Sequence, residues 1–166
     1  IKWFSLIRIT GLLLVLLYHF FQTLFPGGFF GVDVFFTFSG FLITSLLLEE
    51  FGQKGKIDVL GFFRRRFYRI FPPVVLMVLV VMPFTFLVRQ DYVAGIGGQI
   101  AGVLGFMTNF YEMLTGGSYE SQFIPHLFVH NWSLAVEVHY YVLWGLAVWF
   151  LAKRAKTSGQ LRGMIF

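Results

Sequence analysis

The chain of 166 residues is 57% hydrophobic and only 13% charged, with 23 phenylalanines and a mean hydropathy of +0.75. Soluble domains average about 45–50% apolar and about 25% charged residues, so this composition excludes a disordered chain, an ordinary nucleic-acid-binding domain and almost any soluble enzyme. The solvent that fits is a lipid bilayer. With no cysteine, disulfides and thiolate metal sites are excluded, and the net charge of +5 informs through its placement rather than its sum.

A helix crossing the hydrocarbon core needs about 20 mostly apolar residues. Taken in chain order, the first such stretch is 3–25, with Arg8 near its start and His19 further along. The second is 29–48, with Asp33 near its beginning; the third, 70–88, is uncharged up to Val88; the fourth, 132–152, carries Glu137 and His139. A fifth stretch, 95–110, is shorter and glycine-rich and reads as an interfacial or re-entrant helix. The expected fold is all-α: a polytopic membrane bundle of about four transmembrane helices in a single domain over 1–166.

Charge placement sets the expected orientation. If the N-terminus is cytoplasmic, 12 of the 13 Lys and Arg residues fall on inner segments and only Arg89 falls outside, which is the positive-inside pattern of a multi-pass cell-membrane protein. Making 95–110 a fifth span would carry Lys153, Arg154 and Lys156 to the outside. Pro26-Gly27-Gly28 reads as a tight turn between the first two spans. The basic tail from Lys153 to Lys156 and the small number of helices suggest a portion of a larger bundle.

Ionisable groups inside hydrocarbon mark function or a structural polar cluster. Arg8 and His19, 11 residues apart, return to nearly the same helical face. Asp33, read as lying just past the turn, would sit at the depth of His19, and Glu137, near the outer start of the fourth span, would join them. A carboxylate that orients an imidazole is the usual companion of a histidine base. The alternative is that Arg8 snorkels, His19 hydrogen-bonds a neighbouring helix and the cluster glues helices together. Arg64, Arg65 and Arg66, with Arg69 beyond them, read either as a flank for anionic head groups or as a phosphate-binding site of guanidinium forks. Pro72 and Pro73 would occupy the first turn of the third helix. Ser39 and Gly40 read as helix-packing residues, since no Gly-x-Ser-x-Gly elbow is present. His126 and His130 lack the context of a zinc site, and no metal is expected.

Four segments resemble one family in order. Arg8 and His19, then Gly31-Val32-Asp33 running on to Ser39-Gly40, then Arg64-Arg65-Arg66 with Arg69, and last Trp132-Ser133-Leu134-Ala135-Val136-Glu137 are similar to motifs of the membrane acyltransferase-3 family. His139 and Tyr140 depart from its commonest wording. The resemblance implies a multi-span O-acyltransferase that moves an acyl group, commonly acetyl, from cytoplasmic acyl-CoA to a hydroxyl of a cell-envelope carbohydrate such as peptidoglycan. Its implied partners are acyl-CoA, a carbohydrate acceptor and the lipid bilayer, with no nucleic acid, no bound cofactor, and a further extracytoplasmic domain in some relatives. On that reading His19, Asp33 and Glu137 are the catalytic candidates. Arg8, Arg64, Arg65 and Arg69 are the donor-side candidates, and Gly31, Ser39, Gly40, Trp132 and Ser133 are structural motif positions. A transporter or flippase fragment with an intramembrane His/carboxylate relay is the alternative.

Single cysteines placed at Gln53 and Lys156 of the full-length protein should react with impermeant maleimide only from the cytoplasmic side, and one at Tyr119 only from outside. Outside labelling at Lys156 would contradict the orientation.

Overall fold

The computed structural model describes residues 2–88, 95–115 and 126–166, without the side chains of residues 2–5, 8, 85, 86 and 88. All regular structure among the described residues is helical: α1 (Lys2–Phe20), α2 (Phe30–Lys54), α3 (Val59–Val88), α4 (Ile96–Leu104), α5 (Thr108–Thr115), α6 (Trp132–Ala152) and α7 (Ser158–Ile165). Three stretches, Pro26–Lys54, Val59–Phe84 and Val129–Ala152, are long and apolar enough to cross a membrane, whereas the apolar run of α1, Ile9–Phe20, is shorter. The molecule is an all-α membrane bundle. It divides into two compact units, residues 1–56 with 152–166, and residues 57–151.

In the first unit α1 packs against α2, backbone to backbone. A Cβ at Gly31 would stand 2.5 Å from the Gly11 carbonyl oxygen, and one at Gly28 would stand 2.4 Å from that of Leu14. Between apolar helices in lipid, close van der Waals approach through small residues replaces the hydrophobic effect as the driving force. This contact also fixes the register. The helix expected over 3–25 ends at Phe20, and Phe25 leaves the helical region (φ −128°, ψ 59°) because the residue before a proline is sterically barred from it. Gly28 already lies alongside Tyr18, and the Phe29 ring stacks edge-on to that of Tyr18 at 6.1 Å. Pro26-Gly27-Gly28 is therefore less a tight turn than the first contact of the returning strand of chain.

α2 runs to Lys54, past the expected end at 48, supported by a Lys54–Glu50 ion pair of 3.0 Å. It stops at Gly55, whose φ of 66° only glycine adopts cheaply and whose N–H donates to the Phe51 carbonyl. The basic tail is followed by a helix of its own. The Thr157 hydroxyl accepts from the Gln160 N–H (3.2 Å) while the Gln160 carboxamide oxygen accepts from the Lys156 N–H (2.8 Å), a reciprocal cap that starts α7. Leu161 is fully buried and α7 packs on α2.

In the second unit α3 begins eleven residues before the expected position. Asp58 accepts from the Gly61 N–H at 2.9 Å, an N-cap that nucleates the helix ahead of the arginines. Pro72 and Pro73 therefore lie inside α3, not in its first turn. There they remove the N–H groups that would bond the carbonyls of Tyr68 and Arg69. α6 lies antiparallel along the first half of α3: Gly145 meets the Phe62 and Phe63 rings, and the Asn131 amide reaches the Met77 sulfur at 3.9 Å. The next part of α3 is covered by α4 and by the segment before α6, through a core of Val74, Val78, Val103 and Phe128.

The stretch expected as one helix over 95–110 is a helical hairpin of α4 and α5. At nine residues, α4 is about 14 Å long, half of a hydrocarbon core of about 30 Å. The chain reverses with Phe106 in the left-handed region (φ 53°); the Met107 N–H bonds Gly102 and the Phe106 N–H bonds Val103. This is a Schellman closure. A non-glycine residue there costs about 1–2 kcal/mol, offset by packing of the Phe106 ring against Phe71 (6.3 Å) and the valine core.

Replacing Gly31 with leucine should push α1 off α2 and lower the thermal midpoint in detergent, since overpacking costs about 1–3 kcal/mol. Gly52→Ala, where an added Cβ meets nothing within 4 Å, should leave it unchanged or slightly raised. Equal midpoints for Gly31→Leu and the wild type would contradict the packing.

Candidate functional site

In the first unit His19 sits near the end of α1, with Nδ1 2.8 Å from the Val15 carbonyl oxygen. In the tautomer that makes this bond Nδ1 donates, and the lone pair resides on Nε2. The expected meeting of His19 with Asp33 is not formed. With Gly11 against Gly31 and Tyr18 against Gly28, Asp33 stands near the level of Gly11, about eight residues or about 12 Å along the axis from His19. Asp33 instead lines an apolar groove of about 660 Å³ with Ile7, Phe30, Thr37, Phe38 and Phe41. It makes no hydrogen bond or ion pair with a described residue. Arg8 belongs to α1, but its side chain lies outside the described residues. Further along α2, the Thr44 hydroxyl donates to the Gly40 carbonyl at 2.8 Å, and Ser39 is half-buried.

In the second unit the helical period of α3 sorts the arginines by direction. Arg64 shares a face with Leu60, Phe67 and Tyr68, and these residues with Asp58, Gly61 and Phe63 line an open groove of about 480 Å³. Arg65 and Arg69, exposed and four residues apart, lie on an adjoining face. Arg66, part of the arginine cluster read from the sequence but not among the donor-side candidates, turns inward toward α6. Its guanidinium carbon lies 5.5 Å from the Phe62 ring centroid and 6.0 Å from that of Tyr141, and its Nε is buried without a hydrogen-bond partner among the described residues.

Glu137 joins this arginine. The Tyr141 hydroxyl donates to the Glu137 carboxylate one helical turn earlier on α6, and Glu137 is near enough to act electrostatically on Arg66. Glu137, expected in the outer part of its span, lies beside the arginine-rich segment in the register of α6 on α3. Arg66, Tyr141 and Glu137 form a cation–aromatic–carboxylate clamp between two helices, with both charges partly withdrawn from solvent. Upstream of it, the Ser133 hydroxyl donates to the His130 carbonyl (3.3 Å) at the start of α6, beside Trp132.

The same unit holds a second polar pair. Glu112 Oε2 on α5 lies 2.5 Å from His126 Nδ1, with both side chains almost wholly buried. The fully buried Gln99 accepts from the Phe128 N–H at 3.4 Å. Sequence spacing gave no sign of the Glu112–His126 pairing, which joins residues 14 positions apart across a helix end. For Arg66 and Tyr141 a signal did exist: Tyr141 stands four residues after Glu137, the spacing of one helical turn.

A helical bundle of this hydropathy, with basic and carboxylate groups on facing helices, is a multi-pass membrane protein. The chain belongs to the acyltransferase-3 family, whose model for the acyltransferase domain matches residues 1–158. It is 34% identical over 150 residues to the O-acetyltransferase OatA of Staphylococcus aureus strain NCTC 8325 / PS 47, covering 90% of this chain and 25% of that protein. The OatA of strain COL is similar to the same extent, 34% over 150 residues with the same coverage. The chain thus spans about a quarter of the length of the curated relatives it matches. No solved structure matches it.

Tyr141→Phe removes a donor to the Glu137 carboxylate, and should cost about 1–3 kcal/mol of thermal stability in detergent. A midpoint equal to the wild type would show that the clamp contributes nothing.

Proposed function

We propose that the full-length protein is a membrane O-acetyltransferase that uses cytoplasmic acetyl-CoA, or another acyl-CoA, to acylate a hydroxyl of a cell-envelope carbohydrate, peptidoglycan being the first candidate. The family membership and the names of the relatives support the reaction class. The observation that carries the donor assignment is the arrangement of α3, where Arg64 lines an aromatic groove and Arg65 and Arg69 stand exposed on the adjoining face. Guanidinium forks bind phosphates bidentately, and an aromatic wall suits a purine. We place the N-terminus and the arginine-rich end of α3 on the cytoplasmic side, from the distribution of Lys and Arg. Arg64, Arg65 and Arg69 then bind the donor phosphates, with Arg8 a further candidate.

Transfer from a thioester requires the acceptor oxygen to lose a proton as its bond to the carbonyl carbon forms. The carbon–sulfur bond breaks, and the electron pair leaves with sulfur, which is protonated to the free thiol. His19, with its lone pair on Nε2, is the candidate base or transient acyl carrier. Asp33 keeps a candidate role, but not as a contact of His19. Glu137 is assigned to the clamp with Arg66, where it would hold the arginine-rich segment in place. The acceptor, the surrounding bilayer and any extracytoplasmic domain complete the proposed partners.

In proteoliposomes of the full-length protein, labelled acetyl-CoA should be consumed and its acetyl group recovered on the glycan. His19→Ala should lower turnover by about 10²–10⁴-fold without preventing insertion. A protein that only transports would move substrate without releasing CoA. Arg64→Gln, Arg65→Gln and Arg69→Gln should chiefly raise the KM for acetyl-CoA, because phosphate contacts stabilise ground state and transition state alike. Near-normal turnover in a correctly inserted His19→Gln variant would contradict the role given to His19.

A further inference from the structure

The Glu112–His126 pair lies apart from the arginines and has no place in the mechanism above. It also differs from ordinary structural glue in one respect. A polar network kept for rigidity satisfies its members, whereas this one leaves oxygens orphaned. Glu112 Oε2 is held by His126, but among the described residues Glu112 Oε1 is buried without a hydrogen-bond partner, as are Thr108 Oγ1 and Asn109 Oδ1. Each orphan costs about 1–3 kcal/mol. Residues 108, 112 and 109 fall within an arc of about 100° on α5, so the three oxygens share one helical face. Glu112 and Thr108 are 7% and 1% exposed.

We propose that this cluster is the subsite that receives and deprotonates the acceptor hydroxyl, with His126 as the base in place of His19, which then keeps only the role of transient acyl carrier, and Glu112 as the orienting partner of His126; this rests on the O-acetyltransferase reading. The chemistry of the lining selects the ligand. A carboxylate oxygen and a carboxamide oxygen both demand donors and repel anions, and a threonine hydroxyl can give or take a hydrogen bond. A carbohydrate bearing several hydroxyls meets all three. With Nδ1–H committed to Glu112, His126 presents the lone pair of Nε2. The Tyr111 ring stands 5.8 Å from the imidazole, with its hydroxyl tied to the Gly95 carbonyl. Gln99 holds the Phe128 N–H and so fixes the short segment that carries His126.

In the step itself Nε2 takes the hydroxyl proton while the oxygen bonds to the acyl carbon. The bond from that carbon to its leaving group breaks, and the electron pair departs with the leaving group, which takes up a proton from water. The imidazolium, paired with the Glu112 carboxylate, then returns its own proton to water. Atoms and charge balance without a further reactant.

The test uses the full-length protein in proteoliposomes with labelled acetyl-CoA and glycan strands released from peptidoglycan. His126→Ala and Glu112→Gln should each lower kcat/KM for the glycan by about 100-fold. The KM for acetyl-CoA should stay within about twofold. Added imidazole should restore part of the transfer in His126→Ala, which loss of a structural contact would not allow. If His126→Ala does not insert, His126→Asn, which keeps a donor toward Glu112, carries the same expectation. Wild-type glycan kinetics in inserted variants would overturn the proposal, and so would a KM for acetyl-CoA that rises in step with the loss. Absence of acetyl transfer by the wild type would instead overturn the O-acetyltransferase reading itself.

Discussion

A charged group withdrawn from water must find its partners within the protein, and that constraint organises the second unit. Arg66 is where it acts most strongly. Half-buried on α3, the guanidinium rests over the Phe62 and Tyr141 rings, within the field of Glu137, whose carboxylate the Tyr141 hydroxyl holds. To meet this demand α6 must present Glu137 and Tyr141, one turn apart, at the level of Arg66. The register of the two helices follows, with Gly145 thin enough to lie on Phe62 and Phe63 further along. Because α6 covers only the first half of α3, the rest of its apolar face is taken up by α4, Leu127 and Phe128. The hairpin of α4 and α5 is in this sense a consequence of where α6 begins.

The first unit answers to a different rule. Its helices meet through absent side chains: Gly28 and Gly31 bring backbones into contact where no Cβ would fit, Gly31 against Gly11. Such packing gives a precise register without burying charge, and leaves His19 and Asp33 at different levels of the hairpin. Large apolar side chains remain exposed on its faces, among them Phe30 and Phe41 beside Asp33. That is the surface expected of helices in contact with lipid or with further helices.

The spans were legible in the sequence because hydrocarbon thickness sets a length and charge sets a limit, both of which can be counted. Family membership was legible because its motifs lie in unbroken stretches. Register was not. The meeting of His19 with Asp33 assumed that the chain turns at Gly27; it turns around residue 22, since Gly28 is already packed against Leu14 and Tyr18. Those glycines serve close approach rather than reversal, and hydropathy does not distinguish the two uses. The early start of α3 was announced by Asp58 as an N-cap, a signal outweighed by the expectation that a proline pair opens a helix. The Glu112–His126 pair depends on tertiary packing, which no local spacing encodes.

The central structural claim is that the half-buried Arg66 and Glu137 act on each other across α3 and α6. A double-mutant cycle of Arg66→Gln and Glu137→Gln, read as unfolding free energy of the full-length protein in detergent, tests it most directly. Each single change strands a charge, whereas the double change removes both, so the account predicts a coupling energy above about 0.5 kcal/mol, with the double variant less damaged than the sum of the singles. Additive effects within about 0.3 kcal/mol would mean that the two side chains do not act on each other, and the register built on their pairing would lose its cause.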